Sequence, residues 1–198
     1  MAAVEPEGAE TGECSLPSTD YALRHVKAVA EAAGVPVILQ NARVGFPLGL
    51  GALADVVAAV PTVRYVKQES TPPTQDISGV LRVLDGRIDG VFGGVGGVYL
   101  VNELERGAAG TMPSPAFVDR IVEAYQAYRE EGADRAQAAL DPMGSLFTRE
   151  LLYNVVFHKE VLRRRGVIGS TAVRIASPTL DPVDLRDLDR MMAAAGVS

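Results

Sequence analysis

An alternation limits what this chain can become. Between Tyr21 and Glu131, short apolar runs take turns with longer stretches of helical period. Tyr21 to Ala33 carries Leu23, Val26, Val29 and Ala30 on one face, with Ser18, Thr19 and Asp20 as N-caps and Gly34 as the stop. Val35 to Leu39 follows, an apolar run that suits a strand buried on both faces. The order then repeats. Helices are predicted over Leu48–Ala59, Thr74–Leu84, Val98–Arg106 and Pro115–Glu131, and strands over Val63–Lys67, Gly90–Phe92 and Ala108–Met112. Parallel strands need a crossover, and the helices supply it. The pattern therefore predicts an α/β fold with a parallel sheet, built from about four β/α units.

After Glu131 the alternation stops. Ala133–Leu140, Ser145–Arg165 and Pro182–Ala195 read as three helices in succession. The expected organisation is an unstructured segment over residues 1–18, a β/α region over 19–131 and a helical subdomain over 132–198. The first 18 residues are rich in Glu, Gly, Ala, Ser and Pro and offer little to bury. Met1 to Glu13 lacks the apolar core of a signal peptide. No apolar stretch approaches the roughly 20 residues that span a bilayer. One cysteine, Cys14, leaves no internal disulfide and fits a reducing, cytoplasmic setting. A net charge of −6 argues against nucleic acid as a partner, because that needs a basic footprint. It does not argue against a small anion, since one local cation can dominate a pocket.

The chemistry-bearing candidates sit at strand ends, where parallel β/α folds place their sites. Lys67 closes the run Val63–Lys67. An amine facing an apolar interior loses hydration, which favours its neutral, nucleophilic form. By spacing alone it reads first as a strand-end lysine snorkelling to solvent. Gln40 and Asn41 end the preceding strand and can bond a substrate, orient the lysine or cap the next helix. Arg43 can fork onto a carboxylate or stay solvated. Phe92-Gly-Gly-Val-Gly-Gly97 is a glycine-rich turn that lets backbone approach closely. It lacks the Gly-Lys-Ser/Thr of a phosphate loop and the placement of a dinucleotide fingerprint. Glu103 and Glu105 are expected on a solvated helix face, and Arg163, Arg164 and Arg165 as a solvated charge run at a helix end. His25 and His158 lie in no cluster of metal spacing, so no metal site is expected.

Several of these pieces stand in a fixed order that resembles one family. Leu39-Gln-Asn41 is similar to a Tyr-Asn strand end, Val66-Lys67-Gln-Glu69 to a strand bearing an imine-forming lysine, and Phe92-Gly-Gly94 to the strand end after it. Gly107-Ala-Ala-Gly-Thr-Met112 resembles a further glycine-bearing segment of that family. His158 to Ile168, continuing through Val173-Arg174 to Pro178, resembles its helical tail. The family is that of dihydrodipicolinate synthase and N-acetylneuraminate lyase, (β/α)8 barrels that work through a Schiff base. The resemblance covers Tyr21 onward and corresponds to the C-terminal half of such a barrel plus the tail.

The resemblance implies a lyase or synthase in which Lys67 forms an imine with a 2-oxo acid such as pyruvate or a keto-deoxy sugar acid. The protonated imine is an electron sink beside which a carbanion equivalent forms. No other cofactor is implied. Gln40, Asn41, Gly93, Gly94, Gly110 and Thr111 would bind substrate. Gln40 stands where the family has tyrosine, and Ala42-Arg43 where it has proline after the asparagine. No Gly-Thr-Thr-Gly-Glu occurs, so the chain is read as N-terminally truncated. Four strands leave two open edges and one uncovered face, so a homo-oligomer is expected. The alternative is an inactive paralogue kept as a binding or interaction protein.

Overall fold

The computed structural model describes residues 19–42, 47–174 and 177–198. The expected unstructured segment, with Cys14, and Arg43 lie outside the described residues. The alternation is present: α1 (Thr19–Ala33), β1 (Val37–Ala42), α2 (Leu50–Ala59), β2 (Val63–Glu69), α3 (Pro73–Val83), β3 (Gly90–Gly93), α4 (Leu100–Glu105), β4 (Gly110–Thr111) and α5 (Val118–Glu131). The strands form one parallel sheet in the order β1-β2-β3-β4. It is a partial barrel. A helical part follows, with α6 (Ala133–Leu140), α7 (Gly144–Tyr153), α8 (Val155–Arg164) and α9 (Pro182–Ala194).

Side chains alternate across a strand, and the register fixes which ones meet. Leu39, Val66 and Val91 are in register and pack, with Val63, under the helices of the first core. That core also takes Val26 and Ala30 from α1, Leu53, Val56 and Val57 from α2, and Ile77 and Val80 from α3. The second core begins at α4. Leu100, Val101 and Leu104 join α5, α6 and the tail helices around Phe117, Phe147 and Phe157.

The opposite face of the sheet carries Ile38, Gln40, Tyr65, Lys67, Glu69 and Phe92. One row across it is Gln40, Lys67, Phe92 and Gly110, each beside the next in register. Tyr65 and Phe92 touch, with ring centroids 5.7 Å apart. Ile38 remains 48% exposed. In a closed barrel this face is the interior; here it is open.

Two expectations for the tail are corrected. Ser145–Arg165 is not one helix. Asn154 has φ +47°, a conformation that asparagine tolerates better than most residues, and the chain breaks there into α7 and α8. Nor are all three arginines a solvated face: Arg163 stays exposed as expected, while Arg164 and Arg165 are largely covered. Arg165 forks onto Asp119 at 2.9 and 2.8 Å and bonds the Ala116 carbonyl at 2.7 Å, tying the end of α8 to the start of α5. Arg164 bonds Glu160 at 2.8 Å and Leu185 O at 3.0 Å, and also pairs with Asp189. Arg163 pairs with Glu160 at 2.7 Å. An arginine fork fits such carboxylate and carbonyl partners better than water fits it on a packed surface.

Candidate functional site

Lys67 lies on the open face of β2, with 19% of its side chain exposed, and its Nζ is 3.0 Å from Oε2 of Glu69. Residues i and i+2 of a strand share a face, so the sequence of β2 makes this pair directly. Glu69 is held from two further sides. Gln40 Nε2 donates to Oε2 at 2.7 Å, and the Val95 N–H donates to Oε1 at 2.7 Å. Burial alone would raise the Glu69 carboxyl; the Val95 N–H, Lys67 and Gln40 together hold it below the ordinary glutamate value. Three donors on three separate segments thus converge on one carboxylate.

The glycine turn makes this possible. A Cβ at Gly94 would overlap the Glu69 carboxyl, and the Gly94 backbone, at ψ −126°, turns the Val95 N–H to Glu69. Gly93 serves the opposite side of the strand. A Cβ there would overlap the carboxyl of Glu103. Glu103 had been expected on a solvated face; it is fully buried, because α4 turns it onto the strand rather than outward. Neither of its oxygens has a hydrogen bond of good geometry among the described residues. Burial drives its carboxyl up to about 7, and the Glu69 charge adds to the rise. The Thr111 hydroxyl and Gly94 N–H lie close enough to oppose the shift without cancelling it. A third carboxylate, Glu150 of α7, packs on Gly96 and lies 3.0 Å from His158 Nε2.

The other predicted residues divide. Gln40 joins the Lys67–Glu69 group. Asn41 faces the other way and is buried: its Oδ1 accepts from Leu48 N at 2.7 Å, and its Nδ2 donates to Leu48 O at 3.0 Å and to Gln68 Oε1 at 3.1 Å. Gln68, Ser70 and Asp76 continue that chain of bonds behind the sheet. Gly110 lies in the row with Phe92, where an added Cβ would stand 3.6 Å from the ring. Thr111 pairs with Gly93 in register, its hydroxyl 3.4 Å from Gly94 O.

Gln40 and Glu69 line a cleft of about 680 Å³ at the C-terminal ends of the strands, shared with Ser70, Thr71, Tyr99 and Asn154. The break at Asn154 brings the tail to this cleft. Sequence reasoning missed Glu69, Tyr99 and Asn154. Only Glu69 carried a signal, its two-residue spacing from Lys67. Among the described residues no group of three His, Cys, Asp or Glu is placed to hold a metal, and no helix is long and apolar enough to cross a membrane.

No family model matches the chain. The L-2-keto-3-deoxyarabonate dehydratase of Azospirillum brasilense is 28% identical over 156 residues, which are 78% of this chain and 50% of that protein. Among solved structures, the dihydrodipicolinate synthase of Rhodopseudomonas palustris superposes with a TM-score of 0.80 at 24% identity, over 91% of this chain and 63% of that one. A prophage protein of the dihydrodipicolinic acid synthase family from E. coli K12, solved with pyruvate, gives a TM-score of 0.76 at 15% identity, over 91% of this chain and 63% of that one. The chain spans half the length of its curated relative and under two thirds of these structures. The structures establish the fold, and the dehydratase is similar in sequence over half its length. The chain thus shares the fold of dihydrodipicolinate synthases over part of their length, a partial barrel followed by a helical tail, and is similar in sequence to one keto-deoxy sugar acid dehydratase.

Proposed function

We propose that this chain bears the imine-forming lysine of a Schiff-base lyase, of aldolase or dehydratase type, acting on a 2-oxo acid such as pyruvate or a keto-deoxy sugar acid. The observation that carries the reading is the placement of Lys67. Its amine is held on the inner face of the partial barrel by Glu69, which lines the cleft at the strand ends. Attack by the neutral amine on the keto carbon and loss of water give the imine, whose protonated form accepts electrons from the adjacent carbon. Glu69 holds the amine in place beside the cleft. Gln40 keeps Glu69 in place. The dehydratase relative supports an elimination more directly than a condensation. The polar residues of the cleft, Ser70, Thr71, Tyr99 and Asn154, suit a hydroxylated substrate. No group beyond the covalent imine is required.

Assembly and location belong to the same reading. The inner face and the sheet edges at β1 and β4 suit cover by further protein, which we read as another copy of the chain. A cytoplasmic setting suits a free thiol and a small metabolite.

Borohydride reduction in the presence of pyruvate tests the central claim. A reduced adduct localised to Lys67 by mass spectrometry is the expected result. An unmodified Lys67 at saturating pyruvate sinks the reading.

A further inference from the structure

Glu103 has no part in the chemistry described so far, yet it is placed against the same turn. Its side chain is fully buried, and neither oxygen has a well-formed hydrogen bond among the described residues. A carboxyl group in that state is costly in an ordinary core, so its place calls for a reason. The space it fills is the one that Gly93 leaves by having no side chain, and Glu69 fills the space left by Gly94. Successive residues of a strand face opposite ways. The two carboxyl groups therefore press on the same two-residue backbone from its two sides, with one strand's thickness between them.

We propose that Glu103 is a positioning residue of the site: its carboxyl group, seated in the space beside Gly93, braces the Gly93–Gly94 turn in the position from which Gly94 and Val95 receive Glu69, and so fixes Lys67. The inference rests on the reading of Lys67 as the reacting amine only for its consequence, not for the brace itself. The neutral acid suits this place. Two negative charges across one strand disfavour each other, and Glu69 is the one that meets a cation, so Glu103 keeps its proton. Glu69, from β2, is the charged group whose field reaches Glu103. From β4 Thr111 brings a hydroxyl. Arg106, beyond the end of α4, is turned to Asn102 and Ser78. The buried residues that α3, α5 and α6 offer are apolar or glycine: Ile77, Gly79 and Val80; Ile121, Ala124 and Ala127; Ala136, Ala139 and Leu140. Ionising Glu103 puts an unpaired charge under the turn and pushes the turn from Glu69.

The test uses the full chain labelled with ¹³C at glutamate carboxyls and ¹⁵N at backbone amides, as wild type and as Glu103→Gln. In the wild type one glutamate carboxyl should titrate far above the others, near 7, and the Val95 amide resonance should move with it. Both changes should vanish in Glu103→Gln. A wild type with no late-titrating glutamate, or a Val95 amide that ignores the titration or moves equally in the variant, overturns the proposal. Pyruvate trapping is run in parallel. The adduct yield of wild type relative to Glu103→Gln should be near one in mild acid and fall several-fold in mild base. A flat ratio overturns the link to Lys67. If neither protein forms an adduct while the Val95 amide follows Glu103, the brace stands and the reading of Lys67 fails.

Discussion

Lys67 and Glu69 stand two residues apart on β2 and meet through their side chains, Nζ to Oε2 at 3.0 Å. The pair is more than a surface ion pair, because Glu69 is itself fixed by Gln40 and by the Val95 N–H. With Glu69 already anchored, only the lysine side chain is left to order when the pair forms, unlike an exposed pair in which both must. Glu69, which lines the cleft, thus holds the Lys67 amine beside it.

Glu69→Gln should keep the bond from Val95 and lose the charge. The expected outcome is a several-fold fall in pyruvate adduct at Lys67, measured by mass spectrometry after borohydride reduction, with the far-ultraviolet circular dichroism unchanged. The pH behaviour has a fixed sign. Glu69 is held below the glutamate value of 4.5. Its contribution to stability is present above that value and is lost as pH falls through the lowered one. Wild type and Glu69→Gln should thus converge in melting temperature on acidification. An adduct yield unaffected by the substitution would remove Glu69 from the site.

Gly93→Ala and Gly94→Ala separate the two sides of the strand. A Cβ at Gly93 meets Glu103, which is buried and cannot move away, so overpacking should cost about 1–3 kcal/mol of stability. A Cβ at Gly94 meets Glu69, whose side chain can swing into the cleft. Gly94→Ala should lose less stability than Gly93→Ala, only that of the displaced Glu69 bonds, and should lose most of the adduct. Chemical denaturation and trapping of both variants check this. Equal stability losses would show that the two glycines do not divide as described.

The parts of this arrangement written in the sequence are those set by period. Alternating runs announced the parallel sheet, and the helical tail followed from three successive helical stretches. The break at Asn154 was hidden, because the apolar period runs on from α7 into α8 and only a backbone conformation interrupts it. Lys67 was visible as a strand-end lysine, but its partner was overlooked although period two puts Glu69 on the same face. Glu103 was misread for a different reason. α4 is short, and a glutamate in a short helix beside Asn102 and Glu105 reads as solvated. Its burial depends on Gly93, ten residues earlier, lacking a side chain.

Gln40 and Asn41 are neighbours on β1 that face opposite ways, so they should fail differently. Asn41→Ala strips the partners from Leu48 N–H, Leu48 O and Gln68 Oε1, all at or near the core. Leaving such groups unpaired costs about 1–3 kcal/mol. The variant should unfold at lower denaturant yet form the Lys67 adduct normally while folded. Gln40→Ala should melt within about 0.5 kcal/mol of wild type, since its amide is exposed, and should show reduced adduct. The reverse pattern would place Asn41, not Gln40, at the site.

Glu103→Gln makes a stability prediction apart from any chemistry. The carboxyl is raised from 4.5 to about 7 by burial first and the Glu69 charge second. A raised acid favours the fold fully below the unfolded value, and that advantage is lost as pH climbs through the folded value. The window is therefore 4.5 to about 7. Across it wild type should lose about 3 kcal/mol relative to a neutral isostere, taking about 1.4 kcal/mol per pH unit. Glu103→Gln should match wild type in acid and exceed it increasingly across that window, with the divergence read from denaturant midpoints over a pH series. Gln cannot shed a proton, and its amide suits the space left by Gly93 as the neutral acid does. A variant less stable than wild type in mild base would mean that the anion, not the acid, is the form the fold holds beneath the turn.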